Sequence, residues 1–525
     1  MSASYPLPRR VNSGGSQLTP LRVPPERQGF IKHPTARWLT HDLLFHYQRC
    51  SRRAFLDLYG TSTQPDPPSD YLEKLKQDST HHRQGMLQRY QPRHRPLYPA
   101  RDWQAGRQAT QALMAQGVDH ITQGVLTAPA TAGIALVSRP DLLIKQPGKS
   151  FWGDWYYVPM DIKLGKKPKL DYQVVAAFHA YLLSHTQGMW PEESWLALRE
   201  GRLYSVDLVR QIPKMQEVLA DCLQDLQAET APSVFISHSR CDLCHWFSHC
   251  YDQAKTTQHL SLLPGVTPAR YSQLQGLQLT TVEALAQANP RRLAPLPGFG
   301  ETVAEKLIHQ AQAILHNRAI ARTDEDNRFP LVPGQLPSAA VELYFDIEAA
   351  PDQDLIYLHG VLVVNHEAGS EEFHALLAET PEEEYEAWQG FLALVQRYPE
   401  APIYHFCPYE AQTARKLARL YGTADAVVEP LLARFVDMHW CITESVTLPI
   451  ESYALKHIAR WIGFDWRDSG ANGAQSICWY NDWLTTCDRT YLEAILRYNE
   501  DDCRATYWIK RWLVEFAQPF WAPKP

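Results

Sequence analysis

The stretch RCDLCHWFSHC places Cys241, Cys244 and Cys250 in the spacing C-x2-C-x5-C. Thiolates this close together are usually held by a soft metal ion or an iron–sulfur cluster. Three thiolates do not complete such a site, so a fourth ligand must come from elsewhere in the chain. The candidate is Cys50 in FHYQRCSRRAFLDLYG, at the start of a predicted helix, because the other cysteines are isolated. A structural Zn²⁺ and an iron–sulfur cluster both fit these four ligands, and spacing does not separate them.

Length and composition indicate several domains inside a reducing compartment. A chain of 525 residues that is 45% hydrophobic can bury more than one core, and about two to four domains are expected. Its ten cysteines are clustered, which favours ligands or reduced thiols over a disulfide framework. No apolar run approaches the roughly eighteen residues of a spanning helix, and the start MSASYPLPRRVNSGGSQLTP lacks a signal peptide's apolar core. We therefore predict a cytoplasmic protein with no membrane partner.

The charge is unevenly distributed along the chain. Residues 1–120 contain 17 Lys and Arg against 9 Asp and Glu, and residues 121–340 contain 20 of each kind. Residues 341–525 contain 14 Lys and Arg against 29 Asp and Glu. A basic N-terminal part suits a polyanionic partner, although ordinary solvated charge explains it equally well.

The pattern of hydrophobic residues indicates an α/β protein of several domains. Runs such as DWYYVPMDIKL and VELYFDIEAA read as strands, and DYQVVAAFHAYLLSH reads as a helix. The predicted divisions are a disordered arm at 1–30, an α/β domain at 31–255, a helical region at 256–322, a Pro-rich linker at 323–340 and a second α/β domain at 341–525.

A first group of acids lies in the N-terminal α/β domain. PMDIKLG carries Asp161 and Lys163 two residues apart, so on a strand both side chains would point to one face. Asp141, in RPDLLIK, lies one predicted hairpin away. Phosphodiester cleavage needs acids that hold Mg²⁺ or Mn²⁺ and a cation that supports the developing charge, and these three residues offer both.

Residues 38–251 resemble RecB-like nucleases of the AddB type, with the PD-(D/E)xK motif and a restriction-endonuclease-like fold. The resemblance implies that Asp141 and Asp161 bind metal, that Lys163 positions the attacking water and that Gln173 orients the site. It also implies a [4Fe-4S] cluster that joins the two ends of the domain, held by Cys50, Cys241, Cys244 and Cys250.

The chain departs from that family at one place. Active members usually carry His or Glu shortly after a helix Gly, whereas RQGMLQRYQ has Gln88 and Arg89 after Gly85. The first group of acids could therefore bind one metal ion, or the domain could serve nucleic-acid binding alone.

The helical region carries a Gly-rich turn. LPGFGETVAEKL resembles a helix-hairpin-helix motif, in which Gly298 and Gly300 would let backbone N–H groups approach a phosphate and Lys306 would add charge. An earlier copy, LPGVTPARY, has Thr267 in place of the second Gly. A plain helical hairpin that acts as a spacer is the alternative.

A second group of acids lies in the C-terminal domain. YFDIEAA places Asp346 and Glu348 on one face of a strand, and YNEDDCRAT places Tyr498, Asp501 and Asp502 on a predicted helix. Crowded like charges are costly unless cations neutralise them, so convergence of these groups implies bound divalent metal. Two ions about 4 Å apart can activate water and stabilise the leaving oxygen.

Residues 341–515 resemble the DEDD exonucleases of the RNase H-like, DnaQ-type fold, and most closely the YprB-type branch. The resemblance implies that Asp346, Glu348 and Asp502 bind metal and that Tyr498 orients or deprotonates the water. For the middle acid, Glu410 in YHFCPYEAQTARKL is preferred, and Asp437 in FVDMHW is the rival.

The order of modules resembles a prokaryotic family of RecB-like nucleases fused to such a C-terminal domain. It predicts a metal-dependent nuclease that degrades single-stranded DNA ends in repair or processing. A non-catalytic nucleic-acid-binding scaffold and an RNA-processing ribonuclease are the alternatives. No Walker-type loop is present, so any unwinding would need a helicase partner. Oligomeric state is left open.

Overall fold

The computed structural model describes residues 37–522, except 62–64, 130–132, 229, 325 and 327. The predicted disordered arm at 1–30 lies outside the described residues. The chain forms two compact units, one of residues up to 234 together with 238–249, the other of 235–237 together with 250 onward. No helix among the described residues combines the length and apolar character needed to cross a membrane.

The described part of the first unit is built on a five-stranded and a three-stranded sheet with helices packed on them. Its strands are β1 (Arg37–Thr40), β2 (His120–Thr122), β3 (Leu126–Ala128), β4 (Ile134–Ser138), β5 (Leu142–Ser150), β6 (Gly153–Ile162), β7 (Trp195–Ala197) and β8 (Leu203–Ser205). Its helices are α1 (His41–Arg49), α2 (Ser51–Tyr59), α3 (Asp70–Leu87), α4 (Trp103–Ala115), α5 (Leu170–Gln187), α6 (Leu208–Gln227), α7 (His238–Cys241) and α8 (Phe247–Thr256), the last of which runs past residue 249. The strand orders are β2-β5-β6-β7-β8 and β1-β4-β3.

A hairpin and a buried helix position the first group of acids. β5 and β6 pair antiparallel, with Leu142 opposite Met160, and β6 then pairs parallel with β7. α5 is apolar around most of its circumference, as its sequence VVAAFHAYLL requires, and packs against β3 and β6. A helix that is apolar all round must be buried, so α5 covers the end of β6 that carries Asp161.

The described part of the second unit combines a helical region with a five-stranded sheet. Its helices are α9 (Pro268–Gly276), α10 (Val282–Ala286), α11 (Pro290–Leu293), α12 (Glu301–His316), α13 (Glu384–Gln396), α14 (Tyr409–Leu420), α15 (Asp425–Leu432), α16 (Met438–Ser445), α17 (Leu455–Trp461), α18 (Gly473–Thr486) and α19 (Arg489–Trp521). Its strands are β9 (Ile320–Ala321), β10 (Val341–Ala350), β11 (Leu355–Asn365), β12 (Ser370–Leu377), β13 (Ile403–His405), β14 (Phe435–Asp437) and β15 (Val446–Thr447). The sheet order is β12-β11-β10-β13-β14, and β9 pairs separately with β15.

The helical region has its own core and is tied to the rest of its unit by a buried amide. Gln310 on α12 donates to the carbonyl oxygens of Leu448 at 2.7 Å and Ile450 at 3.3 Å, and accepts from the Tyr453 hydroxyl at 3.0 Å. Because these hydrogen bonds of the buried amide form in only one arrangement, they fix α12 against the segment that follows β15.

The main sheet places the second group of acids between a strand and the long last helix. β10, β11 and β12 are antiparallel, whereas β13 and β14 run parallel to β10. α19 packs across β10 and β11. A β-bulge follows Glu348 in β10, a feature that re-aims neighbouring side chains. The predicted mixed α/β class is confirmed at this level.

Candidate functional site

Three carboxylates of the second unit converge. Asp346 and Glu348 project from one face of β10, and Asp502 comes from α19. One oxygen of each lies within 4.8 Å of the others, and among the described residues this is the one such group of acids, histidines and cysteines. Glu348 and Asp502 are buried and Asp346 is half-buried. The geometry is that of an oxygen-ligand site open on the side of Asp346.

The neighbours of these carboxylates are neutral hydrogen-bond donors. Asn499 donates from Nδ2 to Asp346 Oδ2 at 2.7 Å, and Trp466 donates from Nε1 to Asp502 Oδ1 at 2.7 Å. In the described parts of the chain, no ion pair joins Asp346, Glu348 or Asp502 to a Lys, Arg or His. No direct ion pair therefore balances the charge of the group when it is ionised, although the nearby charge of Lys456 acts to lower the pKa values of Glu348 and Asp502.

Burial raises the pKa of all three acids, and repulsion within the group adds to this at Asp346 and Glu348. Burial, and then the charges of Asp502 and Glu348, raise the pKa of Asp346 well above its usual range. The same two causes, burial and Asp502, raise the pKa of Glu348 to about 8. Burial raises the pKa of Asp502 to about 7. A divalent cation would offset this penalty, and carboxylate oxygens suit Mg²⁺ and Mn²⁺.

Tyr498 and a lysine stand beside the three acids. Tyr498 precedes Asp502 by one helical turn, and Lys456 Nζ lies 4.9 Å from the centre of its ring and 5.2 Å from that of Trp466. Burial, followed by the charge of Asp502, raises the pKa of the Tyr498 hydroxyl. The phenol therefore stays protonated, and can orient a water molecule by donating or accepting a hydrogen bond.

The structure treats the two candidates for the middle acid differently. Glu410, in the first turn of α14, is buried, with Oε2 3.3 Å from His405 Nδ1, and its charge raises the pKa of Asp346. Asp437 caps α16, where Oδ1 accepts from the backbone N–H groups of Trp440 at 3.1 Å and Cys407 at 3.2 Å. The Asp437 carboxylate is thus already committed to the backbone, which favours Glu410.

Asp501 points away from the three acids. Its carboxylate pairs with Arg467, with Oδ1 2.8 Å from Nε and Oδ2 accepting from the backbone N–H at 2.9 Å. It is therefore a partner of Arg467 and not a member of the group.

Sequence reasoning missed Asn499, Trp466 and Lys456. One signal for Asn499 was present: a glycine inside the strand run LIYLHGVLVV indicates close approach by another group. Gly360 lies opposite Asp346, and a Cβ there would stand 1.6 Å from Asn499 Oδ1. Trp466 and Lys456 carry no spacing signal.

The first group of acids also converges, but with cations inside it. Asp161 Oδ2 lies 2.9 Å from Lys163 Nζ and 3.1 Å from His179 Nε2. Asp141 Oδ1 lies 2.7 Å from Arg83 Nε, and its Oδ2 accepts from a backbone N–H of β6 at 2.7 Å. Burial opposes ionisation of Asp161, but His179 and Lys163 outweigh it and hold its pKa well below the usual range. Burial, and then repulsion from Asp161, raise the pKa of Asp141.

Gln173 is occupied elsewhere in the first unit. Its Nε2 donates to the Pro168 carbonyl at 2.7 Å, and its Oε1 accepts from Gln211 at 3.2 Å. Over the described residues no hydrogen bond joins it to Asp141, Asp161 or Lys163. On the same helix, the residue that contacts Asp161 is His179. A single histidine within an apolar run gave no signal for this role in the sequence.

The cysteines lie in short turns at helix ends. Cys50 caps α2, and the backbone N–H of Cys244 donates to the Cys241 carbonyl at 2.9 Å. Burial raises the pKa of the Cys244 thiol to about 11, with smaller contributions from Cys50 and Cys241, so these three thiols are near one another. Cys250 belongs to α8, beyond residue 249. The metal or cluster at these four residues stays a prediction.

The Gly-rich turn precedes α12. Gly298 and Gly300 have φ values of 81° and 77°, a region that favours glycine, and a Cβ on either would meet no atom within 4 Å. Arg270 donates to the carbonyls of Gly298 at 2.8 Å and Gly265 at 2.7 Å, which joins the two turns. Lys306 Nζ lies 3.7 Å from a Glu444 carboxylate oxygen. A nucleic-acid contact here stays a prediction.

Residues 343–514 match the family model of the RNase_H superfamily. No curated protein matches the chain. The matched range contains Asp346, Glu348, Glu410, Tyr498 and Asp502. The predicted RNase H-like domain is therefore confirmed for this third of the chain, and a domain of this kind indicates a nuclease-type hydrolase.

Proposed function

We propose that the protein is a metal-dependent exonuclease that hydrolyses phosphodiester bonds at single-stranded DNA ends, in DNA repair or processing. The observation that carries this proposal is the convergence of Asp346, Glu348 and Asp502, none of which makes an ion pair among the described residues, within the range that matches the RNase_H superfamily. The resemblance of the motif order to DEDD exonucleases supports cleavage from an end.

The four acids Asp346, Glu348, Glu410 and Asp502 would hold Mg²⁺ or Mn²⁺. The metal supplies Lewis acidity, which makes bound water more acidic and stabilises negative charge on the leaving oxygen. Asn499 keeps the Asp346 carboxylate oriented through its 2.7 Å hydrogen bond. Such supporting contacts commonly tune metal affinity.

Tyr498 positions the attacking water. Its hydroxyl lies next to Asp502 and remains a phenol, so it fixes the water by hydrogen bonding and leaves the acids to accept the proton. Lys456, over the Tyr498 ring, would add positive charge beside a phosphate held at these acids.

The remaining modules would grip the substrate. The RecB-like first unit, with a [4Fe-4S] cluster or Zn²⁺ at Cys50, Cys241, Cys244 and Cys250, and the turn of Gly298, Gly300 and Lys306 would contact the sugar-phosphate backbone. A separate helicase would be the partner that supplies single strands.

A nuclease assay on end-labelled strands tests the proposal. Single- and double-stranded DNA and RNA of one sequence, labelled at either end, are incubated with the full chain in Mn²⁺. Glu348→Gln should lower the rate at least about a hundredfold, because it removes a metal ligand. Glu493→Gln, the same change at an exposed site on α19, should leave the rate unchanged.

Each result has a defined consequence. Equal rates for Glu348→Gln and the parent chain would reject the assignment. Binding without product, insensitive to metal, would support a non-catalytic scaffold. Faster cleavage of RNA than of DNA would replace the DNA substrate with an RNA one.

A further inference from the structure

The first group of acids is held by basic partners from several elements of its unit. Lys163 and His179 contact one oxygen of Asp161, and Arg83 contacts Asp141. His179 also contacts Ser138 through its other ring nitrogen. Two carboxylates therefore face a guanidinium and an ammonium, and the formal charges of these four groups cancel.

The guanidinium comes from a position that the motif comparison did not indicate. The family resemblance directs attention to Gln88 and Arg89, but the Arg89 side chain lies beside Gly201, 2.8 Å from where a Cβ would stand. Arg83, two residues before Gly85 on α3, is the residue that reaches Asp141. The residue of this segment that contacts Asp141 is therefore a cation that precedes Gly85, whereas the family's His or Glu follows the glycine.

The buried atoms of the cluster test whether a metal ion fits. Asp161 Oδ2 and His179 Nε2 make no aligned hydrogen bond although they are 3.1 Å apart, which by itself would suit two ligands of one ion. However, Lys163 Nζ occupies the same oxygen at 2.9 Å. Among the described residues, no three ligand atoms of this cluster lie within 4.8 Å of one another. The residues do not fit the metal site that the resemblance implies.

We infer that Arg83 closes the first carboxylate pair to divalent metal, so that this pair does not form a catalytic metal site. Arg83 acts as a fixed counter-ion for Asp141, as Lys163 does for Asp161. A dication would have to displace both cations from buried carboxylates, whose partners they are, and that exchange loses two ion pairs. The two ion pairs then join α3, β6 and α5, with the carboxylates buried and the two cations partly exposed.

Metal binding by the full chain tests this inference separately from the proposed function. Glu348→Gln and Asp502→Asn are combined to disable the second site, and bound Mn²⁺ is counted from the loss of the free-ion electron paramagnetic resonance signal. In this background Asp141→Asn should not change the number of ions bound. Arg83→Ala and Arg83→Met should each add about one ion, and Asp141→Asn should remove it again. Arg83→Lys, which keeps the charge, should add none.

Two results would overturn the inference. One is an ion in the background protein that Asp141→Asn removes, which would show an open site. The other is a folded Arg83→Ala or Arg83→Met variant, with the circular dichroism of the background, that binds no further ion. Because ions are counted and products are not, a failure of the proposed nuclease activity would leave this readout intact.

Discussion

The two groups of acids have similar local parts and opposite electrostatics. Each pairs a strand-borne aspartate with a second acid, and each has a lysine above a tyrosine ring, Lys163 at 5.8 Å from Tyr172 and Lys456 at 4.9 Å from Tyr498. Lys163 also reaches a carboxylate, at 2.9 Å from Asp161, whereas Lys456 makes no such ion pair among the described residues. The comparison teaches that similar residue types form an ion-paired cluster in one unit and an acidic cluster without ion pairs in the other, according to which basic side chains the fold brings within reach.

The pKa directions express the same contrast. The pKa of Asp161 falls because its basic partners outweigh burial, although that of Asp141 rises. The pKa values of Asp346, Glu348 and Asp502 all rise because burial outweighs their hydrogen bonds and, for the last two, the charge of Lys456. A bound dication would lower the pKa values of such buried acids.

The largest expected difference concerns the two tyrosines. Tyr498→Phe should lower kcat by roughly a hundredfold or more, because it removes the hydroxyl proposed to position the water and leaves the proposed metal ligands in place. KM and Mn²⁺ affinity should change little. Tyr172→Phe, the matched change in the first unit, should leave steady-state kinetics unaltered; equal losses in both variants would break the comparison.

A second prediction uses opposite pH dependences of stability. Asp161 has a folded pKa below its unfolded value of 3.8, so it stabilises the fold above that pH and the contribution disappears as the pH falls. Asp161→Asn should therefore lower the free energy of unfolding by about 3 kcal/mol near neutral pH and by less in acid.

Glu348 should behave in the reverse way. Its folded pKa of about 8 exceeds the unfolded 4.5, so the parent chain loses stability as the pH rises between them, by about 1.4 kcal/mol per pH unit. In EDTA, the free energy of unfolding of Glu348→Gln should exceed that of the parent chain by a growing margin as the pH rises over that interval. Hydrogen exchange of peptides from β6 and β10, compared between variants at each pH, measures the local stability around the first and the second group of acids separately. Parallel trends for both variants would contradict the proposed difference.

The smallest expected effect concerns the support of Asp346. Asn499→Ala should weaken Mn²⁺ binding roughly tenfold, because the Asp346 carboxylate loses its 2.7 Å hydrogen bond. Calorimetric titration measures the change, and Asn481→Ala on α18 serves as a control that should bind normally. Unchanged affinity in Asn499→Ala would show that Asp346 is oriented by the strand alone.

Local features of the second site could be predicted from the sequence because they depend on short spacings. Asp346 and Glu348 share a face since side chains alternate along a strand, and Tyr498 and Asp502 share a face since four residues span about one helical turn. The strand run LIYLHGVLVV and the helix-forming run around Glu410 were visible for the same reason. These patterns are properties of a few neighbouring residues.

The partners of the acids were decided by tertiary packing. Asn499 meets Asp346 across 153 residues, and Arg83 rather than Arg89 reaches Asp141. No local period encodes which helix packs on which strand, or which of Arg83 on α3 and Arg89 just beyond its end reaches the acid. From the sequence alone the chain was determined to carry two groups of acids; the packing of α3 and α19 decided which group received counter-ions, because charge compensation acts over a few ångströms in space and not along the chain.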